Sequence, residues 1–186
     1  MEPFCIWSGA FTPEDCDRIV KNGELAEFQK GAVGEQKSQD NAVRDTDIAW
    51  IMPSPNTFWI FDRMNEVVSK VNFDKYQMDL REFDGFQYSK YAEKGHYDWH
   101  VDTEPNPRPS GLFRKLSCSL ALSNPEDYEG GELLLNVTGK AENSAALRPT
   151  RGDLVLFYSS VPHKVMPVTK GKRVTLVTWA CGPKLV

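Results

Sequence analysis

A chain of 186 residues is long enough for one domain with a sizeable core, because a domain of that size buries roughly 70% of its unfolded surface. Its hydrophobic fraction of 40% and aromatic fraction of 11% exclude a disordered protein. A formal charge of −4 with a pI near 5.4 offers no electrostatic footprint for nucleic acid.

At the N-terminus, Met1 to Trp7 lacks the basic region of a leader, and no apolar run approaches the roughly 20 residues that a membrane span requires. Phe4–Trp7 predicts a short strand. Thr12-Pro13-Glu14-Asp15 then marks a helix start: a threonine cap, proline at the first helical position, and acids at the positive end of the dipole. That helix is expected to run through Ile19 and Leu25 to about Phe28. Residues 29–47 are polar and contain glycine, which predicts a long loop or irregular edge. A strand over 48–52 is stopped by Pro53 and Pro55. Phe58, Phe61, Met64, Val67, Val68 and Val71 recur at steps of three and four, predicting a second helix over about 57–71.

Beyond Leu80 the apolar period changes from 3.6 to 2. Candidate strands cover 80–91, 96–102, 115–123, 131–137, 145–148, 153–158, 162–166 and 172–180, separated by glycine, proline, asparagine and serine. The pattern predicts a mainly β fold, a sandwich or open barrel buttressed by helices. It reads as a single domain over 1–186, with helical support over about 1–79 and a β core over about 80–182. The four cysteines, Cys5, Cys16, Cys118 and Cys181, are scattered with no C-x-x-C spacing. A reduced, cytoplasmic protein is expected, without membrane or nucleic-acid partners. Asn136-Val137-Thr138 is formally a glycosylation sequon, but without a secretory route it reads as chance.

Only three histidines occur. His100-Val101-Asp102 lies in a stretch whose aromatic and β-branched content favours extended structure. Residues two apart in a strand share a face, so His100 and Asp102 can grip one ion. His163, on a later strand, supplies a third ligand. Two histidines and a carboxylate on one side of a metal leave three positions open, the arrangement of non-haem Fe(II) oxygenases. His96 follows Gly95 near a turn and reads as a surface residue. Asp98 shares the predicted His100 face and competes with Asp102 as ligand. Ten residues after His163, across the predicted turn Thr169–Lys172, Arg173 falls on the next strand of a hairpin, sharing a face with Thr175, Val177 and Trp179. Its planar fork matches a carboxylate of 2-oxoglutarate, and Thr175 adds a hydroxyl donor. An H-x-D pair alone is weak evidence. Its combination with a later histidine and this arginine is not.

These residues resemble the bacterial PKHD-type hydroxylases, in the prolyl 4-hydroxylase-like branch of Fe(II)/2-oxoglutarate oxygenases. The likeness spans about Phe86 to Trp179. It includes His100-Val101-Asp102, the segment Tyr128 to Leu133, Arg151 to Leu156, Ser159 to His163, and Pro167 to Val174. The resemblance implies a double-stranded β-helix, a distorted cupin-like jelly roll, with iron at its open end. It implies His100, Asp102 and His163 as iron ligands, with Arg173 as co-substrate anchor. Tyr91 matches a tyrosine that reaches the co-substrate, and Tyr97 one lining the same pocket; both also read as core aromatics. Glu132, next to Gly130-Gly131, is assigned no chemistry. The relatives usually continue past the tryptophan strand, whereas this sequence stops at Val186.

The implied reaction couples decarboxylation of 2-oxoglutarate to succinate and CO2 with O2-dependent hydroxylation of an unactivated C–H bond, ascorbate being the expected reductant. A prolyl residue in a peptide or protein is the expected substrate, and the enzyme a monomer or homodimer. Hydroxylation of a free amino acid or metabolite is the alternative, and a non-catalytic metal-binding β-barrel is a rival of another class. The nucleic-acid demethylases of the superfamily would show a second arginine six residues after the first, where Trp179 stands. The loop Thr103–Lys115, stiffened by prolines and bearing Arg108, Arg114 and Lys115, reads equally as a substrate lid or a plain connection.

Overall fold

The computed structural model describes residues 3–32 and 40–184. Fourteen strands and two α-helices follow in chain order: β1 Phe4–Trp7, α1 Pro13–Glu24, β2 Gln29–Lys30, β3 Arg44–Asp45, β4 Asp47–Ile51 and α2 Phe58–Val71. Then come β5 Glu82–Tyr91, β6 His96–His100, β7 Phe113–Ala121, β8 Tyr128–Gly130, β9 Leu133–Leu135, β10 Ala145–Leu147, β11 Leu154–Tyr158, β12 His163–Val165, β13 Val168–Gly171 and β14 Arg173–Gly182. A seven-stranded sheet has the order β1-β11-β7-β14-β5-β4-β2 and a five-stranded sheet the order β10-β9-β12-β6-β3, with β13 and β8 paired separately. This is the double-stranded β-helix with flanking helices.

Alternation along the strands assigns each face. On β5, β11 and β14, the residues Phe86, Tyr88, Leu154, Leu156, Leu176 and Ala180 meet Ile19 of α1 and Ile60, Met64 and Val68 of α2 in one apolar layer. The opposite face of the same sheet contributes Tyr91, Val155 and Phe157 to a second, smaller cluster with Leu133, Leu135 and Val165 of the other sheet. Each fully buried leucine or isoleucine contributes about 1.5–3 kcal/mol, so the large layer supplies most of the driving force. The smaller cluster leaves room for a cavity.

Helix α1 starts as its sequence predicts: Thr12 Oγ1 accepts from the Asp15 N–H at 3.2 Å, and the Asp15 carboxylate accepts from the Thr12 N–H at 3.3 Å. It ends at Glu24, short of Phe28, one residue after Gly23, which packs flat against the Tyr88 ring. The segment 29–47 is not simply loop. It carries β2, β3 and the start of β4; residues 33–39 of it lie outside the described residues. After α2 a single π-helical turn, Asn72–Tyr76, aims the Tyr76 hydroxyl at the Leu156 carbonyl, 3.0 Å away.

The hairpin expected between His163 and Arg173 does not form. Strand β12 pairs with β6 and β9 in the small sheet, whereas β14 pairs with β5 and β7 in the large one. Thr169 to Gly171, expected as a turn, belongs to β13, which pairs with β8 as the chain crosses between sheets. His163 and Arg173 therefore approach one cavity from opposite walls.

Gly152, in the motif Arg151-Gly152-Asp153, shows why that motif serves the fold. Its φ is +90°, and a Cβ there would collide with the Phe11 carbonyl. Its N–H donates to the Ala121 carbonyl at 2.9 Å, its carbonyl accepts from the Phe11 N–H at 3.1 Å, and the Asp153 carboxylate accepts from the Gly9 N–H at 3.0 Å. Gly152→Ala is expected to lower unfolding free energy by about 3 kcal/mol, measured by urea denaturation, because backbone strain and overpacking add.

Candidate metal and co-substrate site

His100 ends β6 and His163 begins β12, directly opposite one another in the ladder. Between the pairs His163–His100 and Val165–Tyr97 the register slips, so Asp98 and Trp99 together oppose Lys164. This bulge inverts the simple alternation. Tyr97 and His100 consequently turn to the same face, their rings stacked with centroids 3.5 Å apart. Asp98 turns outward, where it accepts from the Trp99 N–H at 2.8 Å and pairs with Lys164 at 3.4 Å. The competition between Asp98 and Asp102 is decided by that slip. His96 bonds the Lys94 and Ala42 carbonyls, away from the cavity.

Asp102 lies beyond the strand end, not within the strand expected over 96–102. Its N–H donates to the Ser159 carbonyl at 2.9 Å, which holds the turn in place. The donor atoms of His100, Asp102 and His163 all fall within 4.8 Å of one another. His100 Nε2 is 3.7 Å from one Asp102 oxygen and His163 Nε2 is 3.4 Å from the other.

Both imidazoles are oriented by backbone. His100 Nδ1 meets the Asp98 carbonyl at 2.7 Å and His163 Nδ1 meets the Val161 carbonyl at 3.0 Å. A carbonyl only accepts, so each Nδ1 carries a proton and Nε2 is the ring atom left to face a metal. Burial, followed by the neighbouring His163, pushes the His100 pKa down to about 4, so that ring is neutral at physiological pH. Burial pushes the Asp102 carboxyl up, but the two imidazoles and the Ser117 hydroxyl outweigh it and hold the group below the ordinary carboxylate range. Two imidazoles that turn Nε2 inward and one ionised carboxylate form the donor set that suits Fe(II) with open positions.

The triad opens into a cavity of about 340 Å³ whose wall includes Tyr91, Tyr97, Arg173, Thr175, Val177 and Trp179. The face predicted for β14 is thus the face the cavity sees. Arg173 is only 4% exposed, and its guanidinium lies 5.2 Å from the Tyr91 ring centroid without a carboxylate or hydrogen-bond partner among the described residues. Thr175 Oγ1 is buried and equally unpartnered. An uncompensated buried guanidinium beside an orphaned hydroxyl fits the carboxylate of a small acid such as 2-oxoglutarate.

Residues 86–181 match the model of the 2OG-Fe(II) oxygenase superfamily. A PKHD-type hydroxylase from Escherichia coli, YbiX, is 32% identical over 180 residues, covering 92% of this chain and 75% of the relative. The chain belongs to the PKHD-type hydroxylases of this superfamily. A further PKHD-type hydroxylase, from Xylella fastidiosa, is 35% identical over 101 residues, a match spanning 50% of this chain and 42% of that protein. Among solved structures, a prolyl hydroxylase of Trichoplax adhaerens in complex with a hypoxia-inducible factor peptide superposes with a TM-score of 0.76 at 21% identity. That superposition covers 96% of this chain and 83% of the other, and it shows a shared fold.

Several residues of this PKHD-type site were not visible in the sequence. Ser117, in β7, donates to Asp102 at 2.6 Å and contacts the Ser159 hydroxyl at 3.0 Å. A lone serine in a strand gives no signal of such a role. Arg44 and Trp50 reach the cavity from the segment expected as loop and from the strand after it. The segment after Asp102 also differs from expectation. Glu104 and Pro105 line the cavity, but Arg114 pairs with Asp84 at 2.5 Å, and Arg108 bridges Asp84 and Glu104. Two of the loop cations offered for substrate are therefore already committed to carboxylates. Glu132 pairs with Arg148 at 3.3 Å.

Replacing His163 by alanine is expected to abolish measurable Fe(II) binding by calorimetry under anaerobic conditions. Ser117→Ala removes only the hydroxyl that orients Asp102, so affinity for the metal should fall by about 10- to 100-fold. Unchanged affinity in Ser117→Ala would show that the Ser117 contact is incidental.

Proposed function

We propose that the protein is an Fe(II)- and 2-oxoglutarate-dependent dioxygenase that hydroxylates a prolyl residue in a peptide or protein. The observation that carries the chemistry is the convergence of His100, Asp102 and His163 on a cavity that also holds the uncommitted Arg173 and Thr175. The metal, when bound, supplies activation of O2 and oxidation of the C–H bond, with succinate and CO2 as co-products. The chain's own contribution is positional. The two histidines would offer Nε2, Asp102 would offer one negative charge, and Arg173 with Thr175 would hold a carboxylate of the co-substrate. Phe157, Leu133 and Val165 make the wall apolar and keep water away from the reacting atoms.

A polypeptide substrate is supported by the fold shared with prolyl hydroxylases, one of them solved with a bound peptide fragment. Residues 1–186 act in this reading as one unit, in a reducing compartment such as the cytoplasm, where four buried thiols and ferrous iron both persist. O2 is the oxidant and ascorbate the reductant.

Purified enzyme with Fe(II), ascorbate and 2-oxoglutarate should add one oxygen to proline-containing peptides, with succinate in equal amount, as read by mass spectrometry. Turnover on free proline or lysine and on no peptide would replace the polypeptide reading with that of a small-molecule hydroxylase. Arg173→Ala should weaken 2-oxoglutarate binding by about 30- to 1,000-fold, corresponding to roughly 2–4 kcal/mol. Arg173→Lys should recover only part of this, lacking the fork. An unaltered KM for 2-oxoglutarate in Arg173→Ala would assign the anchor elsewhere.

A further inference from the structure

Arg173 is not the only arginine of the cavity without a counter-ion among the described residues. Arg44, in β3, opposes Tyr97 across the ladder with β6 and is 7% exposed. Its Nη1 donates to the Ala32 carbonyl at 3.1 Å, while its buried Nε has no partner and no carboxylate pairs with it among the described residues. The guanidinium lies 4.4 Å from the Tyr97 ring centroid, and that ring is stacked on His100. Room for it is built into the backbone: a side chain at Gly31 would occupy the space of the Arg44 guanidinium. Arg44 therefore stands on the cavity wall one aromatic ring away from a metal ligand.

Charge accounting separates it from its neighbours. Arg114 and Arg108 are matched by Asp84 and Glu104. In the reading given above, a divalent ion, a dianionic co-substrate, Asp102 and Arg173 together come to zero. Arg44 is left over. A guanidinium removed from water without an anion is costly, and its forked donors match a carboxylate better than a carbonyl. No cation–π contact with one tyrosine offsets that cost in full.

We propose that Arg44 recognises a carboxylate of the primary substrate and so places the reacting carbon near the metal. The inference rests on the reading of Arg173 as the co-substrate anchor. The carboxylate has three sources of the same chemistry: an acidic side chain beside the hydroxylated residue, a polypeptide C-terminus, or a free amino acid.

The test uses the full chain loaded with zinc(II), which is diamagnetic, and 2-oxoglutarate. The arginine Nε–H resonances are followed by NMR and assigned by their loss in Arg44→Lys and Arg173→Lys. Probes are N-acetyl-prolyl-aspartate amide, N-acetyl-proline and free proline, each against its counterpart in which the carboxylate is an amide. The Arg44 signal is expected to move saturably with at least one carboxylate probe and not with its amide, and the responding probe identifies the source. In Arg44→Lys, calorimetry should show affinity for that probe falling about tenfold or more while 2-oxoglutarate affinity stays within about twofold. An Arg44 signal unmoved by every carboxylate, or moved equally by the amides, overturns the proposal. So does a signal that shifts on adding 2-oxoglutarate and then responds to nothing else, since Arg44 would then serve the co-substrate. A failed anchor assignment shows on a different resonance, as an Arg173 signal indifferent to 2-oxoglutarate.

Discussion

A carboxylate withdrawn from water has to be met by donors or positive charge, and Asp102 is the group around which this site is arranged. It is 9% exposed, with Ser117 of the large sheet on one side and His100 and His163 of the small sheet on the other. The sheets are thus joined at that point by polar contacts as well as by the apolar cluster of Leu133, Leu135, Val155 and Phe157. Losing the Ser117 hydroxyl would strip the carboxylate of a donor, and losing either histidine would weaken the hold on the positive charge that a metal brings to it. Metal binding and sheet packing are consequently coupled through one side chain.

Most of the architecture was legible because its signals are periodic. The change from a 3.6 to a 2 repeat near Leu80 marks where β5 begins, and the alternation of Arg173, Thr175, Val177 and Trp179 predicted the cavity face of β14. Helix α1 was legible from Thr12 to Asp15 because capping is local chemistry. What failed was non-local. Whether Arg173 sits beside His163 or across from it depends on which sheet each strand joins, and nothing in the intervening Pro167–Lys172 states that. The two-residue strands β2 and β3 are too short to show a period, yet β3 is what brings Arg44 to the cavity.

The site was legible in its residue types and less so in its geometry. His100, Asp102 and His163 stood out through rarity and spacing. The expectation that Asp98 rivals Asp102 followed from assuming a regular strand, and the slip opposite Lys164 removes that assumption. The loop after Asp102 looked rich in available cations because a sequence does not reveal pairing. Asp84, eighteen residues before Asp102, takes up Arg108 and Arg114 together. With those two neutralised, the unmatched charge of the cavity among the described residues concentrates on Arg44 and Arg173.

The bulge at Asp98 and Trp99 also gives β6 one residue more than its partner strand spends over the same span. Removing one of these residues would leave Tyr97 and the following histidine two apart, and residues two apart in a regular strand share a face, so the imidazole would still look into the cavity. A single-residue deletion there would change the local twist and bend that the extra residue adds, not the side on which the ligand stands. The outward positions of Asp98 and Trp99 are therefore open both to replacement and to the loss of one residue.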